Sequence, residues 1–218
     1  DENNNRTDYD HREIKFIRYD DGAGNFTAIN DNGFASQEFL TFVQNFTGGT
    51  VKDNWLGDFY SIGALLGQEY ANNVFAGGFV VSNNSSSLFY NNTFSGGEVY
   101  SNTFSGGDVN SNRFSGKVYS NTFSGDVNSN RFSGNVYSNT FSGEVSNNTF
   151  SGYVYSNTFS GGVNTNTFSG NVYSNTFSGD VNNNTFSGGN VTNNTFSGYV
   201  NSNTFSGGVN TNTFSGNV

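Results

Sequence analysis

The sequence predicts a mainly β protein: a two-sided β-solenoid over residues 73–218, preceded by a mixed α/β N-terminal cap over residues 1–72. Three observations lead to this prediction. Phe recurs every nine or ten residues in the second half of the chain, a second period of about 18 residues overlies the first, and every repeat carries Gly with β-branched residues. Gly and β-branched residues disfavour a helix, so this pattern excludes one there.

The composition narrows the class of protein further. The chain has 218 residues, a formal net charge of −9, no Cys and only 11% charged residues. Its 24 Phe and 12 Tyr supply the apolar surface that disordered polar segments lack, so we expect an ordered chain. An acidic surface repels nucleic acid, and no apolar run approaches the roughly 20 residues that span a bilayer. We therefore expect neither nucleic-acid binding nor membrane insertion.

The repeating unit is nine residues long and reads Asn-Thr-Phe-Ser-Gly-x-Val-x, followed by Ser, Asn or Thr. Phe and Val are usually four residues apart, so on an extended chain both point to one side, while the Thr and Ser beside Phe point to the other. This is the pattern of a strand with one buried face. The predicted core includes Phe104, Phe114, Phe123, Phe132, Phe141, Phe150, Phe159, Phe168, Val118, Val127, Val136 and Val145.

The alternation of inward and outward side chains must break once in each unit, because the next Phe usually lies five residues after Val, an odd number. We expect the chain to turn in the Ser-Asn segment between them, since Asn and Ser tolerate left-handed backbone. An inward Asn at this turn can bond to its copy in the next coil and form an amide ladder. The predicted ladder includes Asn112, Asn121, Asn130 and Asn139.

A second period indicates how many units close one coil. Val is followed by Tyr in alternate units, which predicts a surface ladder of Tyr100, Tyr119, Tyr137, Tyr155 and Tyr173. Each coil therefore contains two units, or about 18 residues. At about 4.8 Å per coil, the fourteen units predict about seven coils and a rod on the order of 34 Å long.

The first part of the chain is less regular, and two alternatives are open for residues 1–72. Weaker copies of the unit near Phe26 and Phe46 suggest diverged coils. Otherwise this segment is a cap with a strand at residues 14–17, a helix that follows Ser36, and a second helix over residues 58–70. We expect a cap because an uncovered terminal coil is an open edge strand.

The nine-residue unit, paired two to a coil, resembles the nonapeptide β-roll of RTX proteins, whose consensus is Gly-Gly-x-Gly-x-Asp-x-apolar-x. In that family the Asp two residues before the apolar residue binds calcium. Here Asn precedes Phe, and Gly precedes Val, at that spacing, so the resemblance covers coil length and the two-sided coil but not the calcium ligands. Stacked coils with Asn ladders and Gly at the bends are similar, more loosely, to curli-type and fungal-prion-type solenoid fibres.

The sequence contains no catalytic constellation, so we expect no enzyme activity and no cofactor. Asp108, Asp126 and Glu144 recur in alternate units and would lie about one coil apart, where like charges repel. Arg113 and Arg131 neutralise these carboxylates, or water solvates them as a ladder, or a cation such as calcium binds between them.

Two outer columns are candidates for binding. The tyrosine column is an aromatic ladder that binds a glycan or a neighbouring filament, or only stiffens the rod. On one face Thr and Ser flank each Phe without interruption, and this array resembles the Thr columns of β-solenoid ice-binding proteins. The predicted Thr/Ser face includes Thr122, Ser124, Thr140, Ser142, Thr158 and Ser160.

These features predict a structural extracellular repeat protein: a fibre, sheath, stalk or adhesin subunit that self-associates end to end or laterally. A glycan or cell-surface partner is the other expected interaction. The alternatives are an ice-binding β-solenoid and a glycan-binding β-helix with clustered carboxylates outside the array, such as Asp53, Asp58 and Glu69. The sequence opens with Asp1 rather than Met, which fits either a removed signal peptide or a trimmed chain, and we expect a secreted protein.

Overall fold

A computed structural model describes residues 17–20, 26–29, 49–52, 55–56, 59–61, 68–72, 74–75, 79–81, 84–85, 88–95 and 97–218, with side chains at 70–72, 74–75, 88–95 and 97–218. Every regular element in these residues is a strand. Among them, no helix has the length and apolar character needed to cross a membrane. The predicted β-solenoid, with about seven coils of about 18 residues, is confirmed.

Four sheets run along the solenoid, and each regular coil contributes one short strand to each of them. Sheet 1 contains Gly49–Lys52, Gln68–Ala71, Leu88–Tyr90, Val109–Asn110, Val127–Asn128, Val145–Ser146, Val163–Asn164, Val181–Asn182 and Val200–Asn201. Sheet 2 contains Trp55–Leu56, Val74–Phe75, Thr93–Phe94, Arg113–Phe114, Arg131–Phe132, Thr149–Phe150, Thr167–Phe168, Thr185–Phe186 and Thr204–Phe205.

Sheets 3 and 4 carry the other unit of each coil. Sheet 3 contains Phe59–Ser61, Phe79–Val81, Val99–Tyr100, Val118–Tyr119, Val136–Tyr137, Val154–Tyr155, Val172–Tyr173, Val191–Thr192 and Val209–Asn210. Sheet 4 contains Asn84–Ser85, Thr103–Phe104, Thr122–Phe123, Thr140–Phe141, Thr158–Phe159, Thr176–Phe177, Thr195–Phe196 and Thr213–Phe214. Strands of successive coils pair in parallel within each of the four sheets.

Parallel pairing extends back to Gly49–Lys52, which pairs with Gln68–Ala71. Before it, Ile17–Asp20 pairs antiparallel with both Phe26–Ile29 and Gly49–Lys52, and these two strands extend sheet 1. The predicted helix over residues 58–70 is wrong, because both of its ends are strands that pair with the following coil. Backbone pairing between coils outweighs the local helical pattern there. The predicted helix after Ser36 lies outside the described residues, as do residues 14–16 of the predicted strand.

The core consists of side chains that stack on their own copies one coil away. The rings of Phe123 and Phe141 lie 4.9 Å apart, centroid to centroid, and their planes differ by 3°. Phe104 is 2% exposed and the other predicted core residues are no more exposed than that. Burial of one Phe contributes about 2–3 kcal/mol, and ring stacking adds about 0.5–1.5 kcal/mol. Since ordering nine residues costs more than this, a coil depends on its neighbours for stability.

A bend divides each unit into two strands. The alternation predicts that Phe123 and Val127 share one strand, but the chain bends at Gly125 and the two residues belong to sheets 4 and 1. The bend requires glycine because the backbones of successive coils come very close here. A Cβ added to Gly143 would lie 2.5 Å from the carbonyl oxygen of Gly125. Each coil therefore has four short strands in four sheets, where the alternation predicted two longer strands.

The second turn of each unit lies in the Ser-Asn segment, where the alternation of the sequence breaks. The residue before each inward Asn has a positive φ, 56° at Ser120 and 58° at Ser129. This left-handed backbone, which Asn and Ser tolerate better than most residues, carries the chain from one sheet to the next, and the Asn side chain that follows is buried.

The buried asparagine ladder is confirmed. The Oδ1 atom of Asn139 accepts hydrogen bonds from the backbone N–H of Asn121 at 2.9 Å and from its Nδ2 at 3.0 Å. In turn, Nδ2 of Asn139 donates to Oδ1 of Asn157 at 3.0 Å and to the backbone oxygen of Val118 at 2.8 Å. Two such ladders run through the solenoid, and their buried members are Asn92, Asn102, Asn112, Asn121, Asn130, Asn139, Asn148, Asn157, Asn166, Asn175, Asn184 and Asn194.

The Asn139→Ala variant tests the ladder. This change leaves two donors of Asn121 and the carbonyl oxygen of Val118 without their buried partner, so we expect a loss of about 2–4 kcal/mol in the free energy of unfolding. Thermal or urea unfolding measures it. The matched control is Asn182→Ala, an outward Asn of sheet 1, which should change stability by less than about 0.5 kcal/mol. Equal losses in the two variants would contradict a structural role for the ladder.

Candidate functional site

The outer columns of the solenoid are its candidate functional surface. The inward positions hold stacked rings, valines and paired amides, all closely packed. In-register pairing places each outward residue beside its counterpart one coil away, as with Tyr119 and Tyr137 or Thr122 and Thr140. Each outward position of the unit therefore generates a column with the spacing of the strands, about 4.8 Å.

The predicted Thr/Ser face lies on sheet 4. Thr122, Thr140 and Thr158 pair in register, and the Phe rings behind them stack at 4.8–4.9 Å. Ser142 follows the strand and donates its backbone N–H to the oxygen of Phe123 at 2.8 Å, so the Ser column keeps the same register. Thr158 and Ser160 are exposed. The result is a two-column array of hydroxyl groups repeated once per coil.

Sheet 2 carries the corresponding face of the other unit, and arginine interrupts it. Arg113 and Arg131 are exposed, and they pair in register on neighbouring strands. Within residues 97–218, neither guanidinium forms an ion pair with a carboxylate; the ion pair found there joins Lys117 to Glu98. The predicted neutralisation of the acidic column by Arg113 and Arg131 is therefore wrong, because the arginines lie on a different sheet.

The acidic column accepts backbone hydrogen bonds at the bend before sheet 1. Asp108 Oδ1 accepts the backbone N–H of Asp126 at 3.1 Å, and Asp126 Oδ1 accepts that of Glu144 at 2.8 Å. The equivalent bend before sheet 3 uses a neutral amide, since Asn135 Oδ1 accepts the backbone N–H of Tyr153 at 3.0 Å. Charged carboxylates and neutral amides at this position thus do the same thing: each accepts a backbone N–H of the next coil.

Sequence reasoning missed this role, although its signal was present: Asp and Asn recur at the position before Val. In the described part of the chain, no three Asp, Glu, His or Cys side chains form a group that could hold a metal ion. The side chains of Asp53, Asp58 and Glu69, proposed as carboxylates outside the array, lie outside the described residues.

The tyrosine column lies on sheet 3 and forms a continuous stack. Tyr119 and Tyr137 have ring centroids 4.9 Å apart, and Tyr155 and Tyr173 have centroids 5.0 Å apart. The interplanar angles of these two pairs are 1° and 2°. Partial burial in the stack, together with neighbouring tyrosines, raises the pKa of Tyr155 and that of Tyr173. Their hydroxyls therefore stay protonated, and able to donate hydrogen bonds, at neutral pH.

A charged cluster lies near the N-terminal end of this stack. Glu98 accepts a hydrogen bond from Lys117 Nζ at 2.9 Å and another from Tyr119 Oη at 2.8 Å. These two bonds lower the pKa of the Glu98 carboxyl, and the same carboxylate raises the pKa of Lys117. Partial burial and the bond to Glu98 raise the pKa of Tyr119 to about 12.

An open cavity lies at the other end of the stack. The residue that pairs with Tyr173 in the next coil is Thr192 rather than a sixth tyrosine. A cavity of about 320 Å³ occupies this step, and its lining residues are Asn171, Tyr173, Asn190, Thr192 and Asn193. Sequence reasoning noted that the tyrosines end at Tyr173 but did not find the cavity, whose signal was the smaller Thr at the next position of the column.

Comparison of the chain with protein-family models, with curated proteins and with solved structures finds no match.

The Tyr119→Phe variant tests the cluster near the start of the tyrosine column. Because the folded pKa of Tyr119, about 12, exceeds the ordinary value of 10.0, its stabilisation is present below pH 10 and is lost as the pH rises through about 12. We expect the difference in tyrosinate absorbance between wild type and Tyr119→Phe to show one group titrating near pH 12. In Glu98→Gln this phase should move toward pH 10. A difference curve centred at pH 10 in the wild type would contradict the assignment.

Proposed function

We propose that this chain is an extracellular structural repeat protein, a stiff segment of a fibre, sheath, stalk or adhesin. The observation that carries this proposal is the uninterrupted in-register stacking of Phe rings and Asn amides through about seven coils. Each coil contacts only its neighbours, so such a structure extends in one dimension. Its length is on the order of 34 Å for seven coils.

Stiffness supports this role. Bending the rod would open the coils on one side, where hydrogen bonds such as Asn121 Nδ2 to Asn139 Oδ1 and ring contacts such as Phe123 to Phe141 would lengthen together. Two Asn ladders and the Phe stacks run through the interior together, so bending meets resistance from all of them at once. A stiff rod with regular flat sides is suited to spacing other molecules and to lateral self-association.

Assembly is the measurable consequence of the proposal. Purified protein examined by negative-stain electron microscopy should form filaments or bundled rods as its concentration rises, and dilute protein is the control. Aligned filaments in which the coils follow the fibre axis should give a diffraction spacing of about 4.8 Å along that axis. Short, monodisperse rods at every concentration would contradict assembly.

Ice binding is the second candidate, and the Thr/Ser face of sheet 4 favours it. Its hydroxyl columns are unbroken from Thr122 to Thr176, with eighteen-residue steps and in-register pairing. A regular, flat array of this kind can order a layer of water that matches a crystal lattice. Sheet 2 has no such continuity, because Arg113 and Arg131 occupy two of its Thr positions.

Thermal hysteresis distinguishes the two candidates. If sheet 4 binds ice, the wild-type protein should depress the freezing point below the melting point, and Thr140→Arg or Thr158→Arg should abolish the effect by projecting a long charged side chain from the face. Thr167→Arg on sheet 2 is the matched control and should keep it, since that sheet already carries arginines. A wild-type protein without hysteresis would remove this candidate.

A further inference from the structure

Tyr173 is the last ring of the tyrosine column. Its face toward the next coil meets Thr192, not another ring. Tyr119, Tyr137 and Tyr155 each have a tyrosine ring stacked on both faces. Within residues 97–218, Tyr173 has a ring, that of Tyr155, on one side only. On its other side lies the open cavity, above Thr192.

Amide and hydroxyl side chains line the cavity together with this ring. Asn171 Oδ1 accepts the backbone N–H of Asn190 at 2.8 Å, and Asn190 Oδ1 accepts that of Gly208 at 3.2 Å. These bonds orient both amides and leave their Nδ2 groups without a protein partner in the described part of the chain. Asn193, held at a φ of 56°, and the hydroxyl side chain of Thr192 complete the lining.

We propose that this cavity, the Tyr173 cavity, is a binding subsite for one neutral hexopyranose unit of a glycan. A pyranose ring has an apolar C–H face, which packs against an aromatic ring, and a rim of hydroxyls, which pair with amide and hydroxyl groups. The cavity offers both chemistries side by side. With a volume of about 320 Å³ and an open outer side, it offers a shallow surface for a single sugar unit rather than an enclosed pocket.

The uncharged lining of the cavity narrows the class of ligand that could stack on Tyr173. No charged side chain lines the cavity, so it offers no counter-ion to an acidic or an amino sugar. Nucleotides also stack on aromatic rings, but the net charge of −9 opposes their phosphates. A neutral sugar remains as the ligand class that matches the lining. This inference does not depend on fibre assembly.

Two variants remove the subsite in opposite ways. Tyr173→Ala deletes the stacking surface, whereas Thr192→Tyr adds a sixth ring to the column and fills the cavity. The second variant is expected to fold at least as stably as wild type, because it continues a stack that already holds five rings. It therefore separates loss of binding from loss of folding.

Isothermal titration calorimetry and saturation-transfer NMR test the subsite. The probes are cellohexaose, laminarihexaose and chitohexaose, with glucose as the monomer. We expect wild type to bind at least one hexaose, with saturation transferred mainly to the C–H protons of one sugar face. Tyr173→Ala and Thr192→Tyr should each weaken binding at least tenfold.

The matched controls are Tyr199→Ala, an exposed tyrosine beside sheet 1, and Thr167→Tyr on sheet 2, and both should bind as wild type does. Absence of binding for all four probes would overturn the proposal. Unchanged affinity in Thr192→Tyr, or an equal loss in Tyr199→Ala, would overturn it as well.

Discussion

The amide ladder is the interaction on which the rest of the structure depends. From Asn112 to Asn194, each buried Asn accepts two hydrogen bonds from the Asn one coil before it and donates to the Asn one coil after it, as Asn139 does between Asn121 and Asn157. A buried amide without partners costs about 1–3 kcal/mol, so a slip of one residue between coils would be unfavourable at every turn. The ladders therefore hold successive coils in a single register, and the Phe stacks depend on that register.

The same register determines which outer side chains lie next to each other in successive coils. It places like on like: tyrosine on tyrosine, threonine on threonine, and also Asp108 beside Asp126 and Arg113 beside Arg131. For rings this is favourable, because parallel stacks bury surface. Like charges repel unless water screens them or a backbone N–H is bound. Both charged columns are short, and Asp126, Arg113 and Arg131 are exposed to water.

Distinct surface features arise where an outer column changes residue type, while the interior continues unchanged. Arginine interrupts the Thr column of sheet 2 and leaves that of sheet 4 continuous, so the two sides of the rod differ although their backbones are alike. Tyrosine gives way to Thr192 on sheet 3, and an open cavity results. The outer columns can therefore change residue type along the rod while the Phe stacks and Asn ladders inside continue from coil to coil.

The sequence by itself determined the coil: its length, the inward Phe and Val, the turn before each Asn and the buried ladder. All of these follow from a strict local period combined with the direction in which alternate side chains point. The tertiary structure alone decided the bend at Gly125, the strands within residues 58–70, the backbone bonds to Asp108 and Asp126, and the cavity beside Tyr173. The reason is that each of these depends on how closely atoms one coil apart approach. A period shows which residues lie above one another, but the approach of backbone to backbone, and of side chain to backbone, is set only when the coils pack.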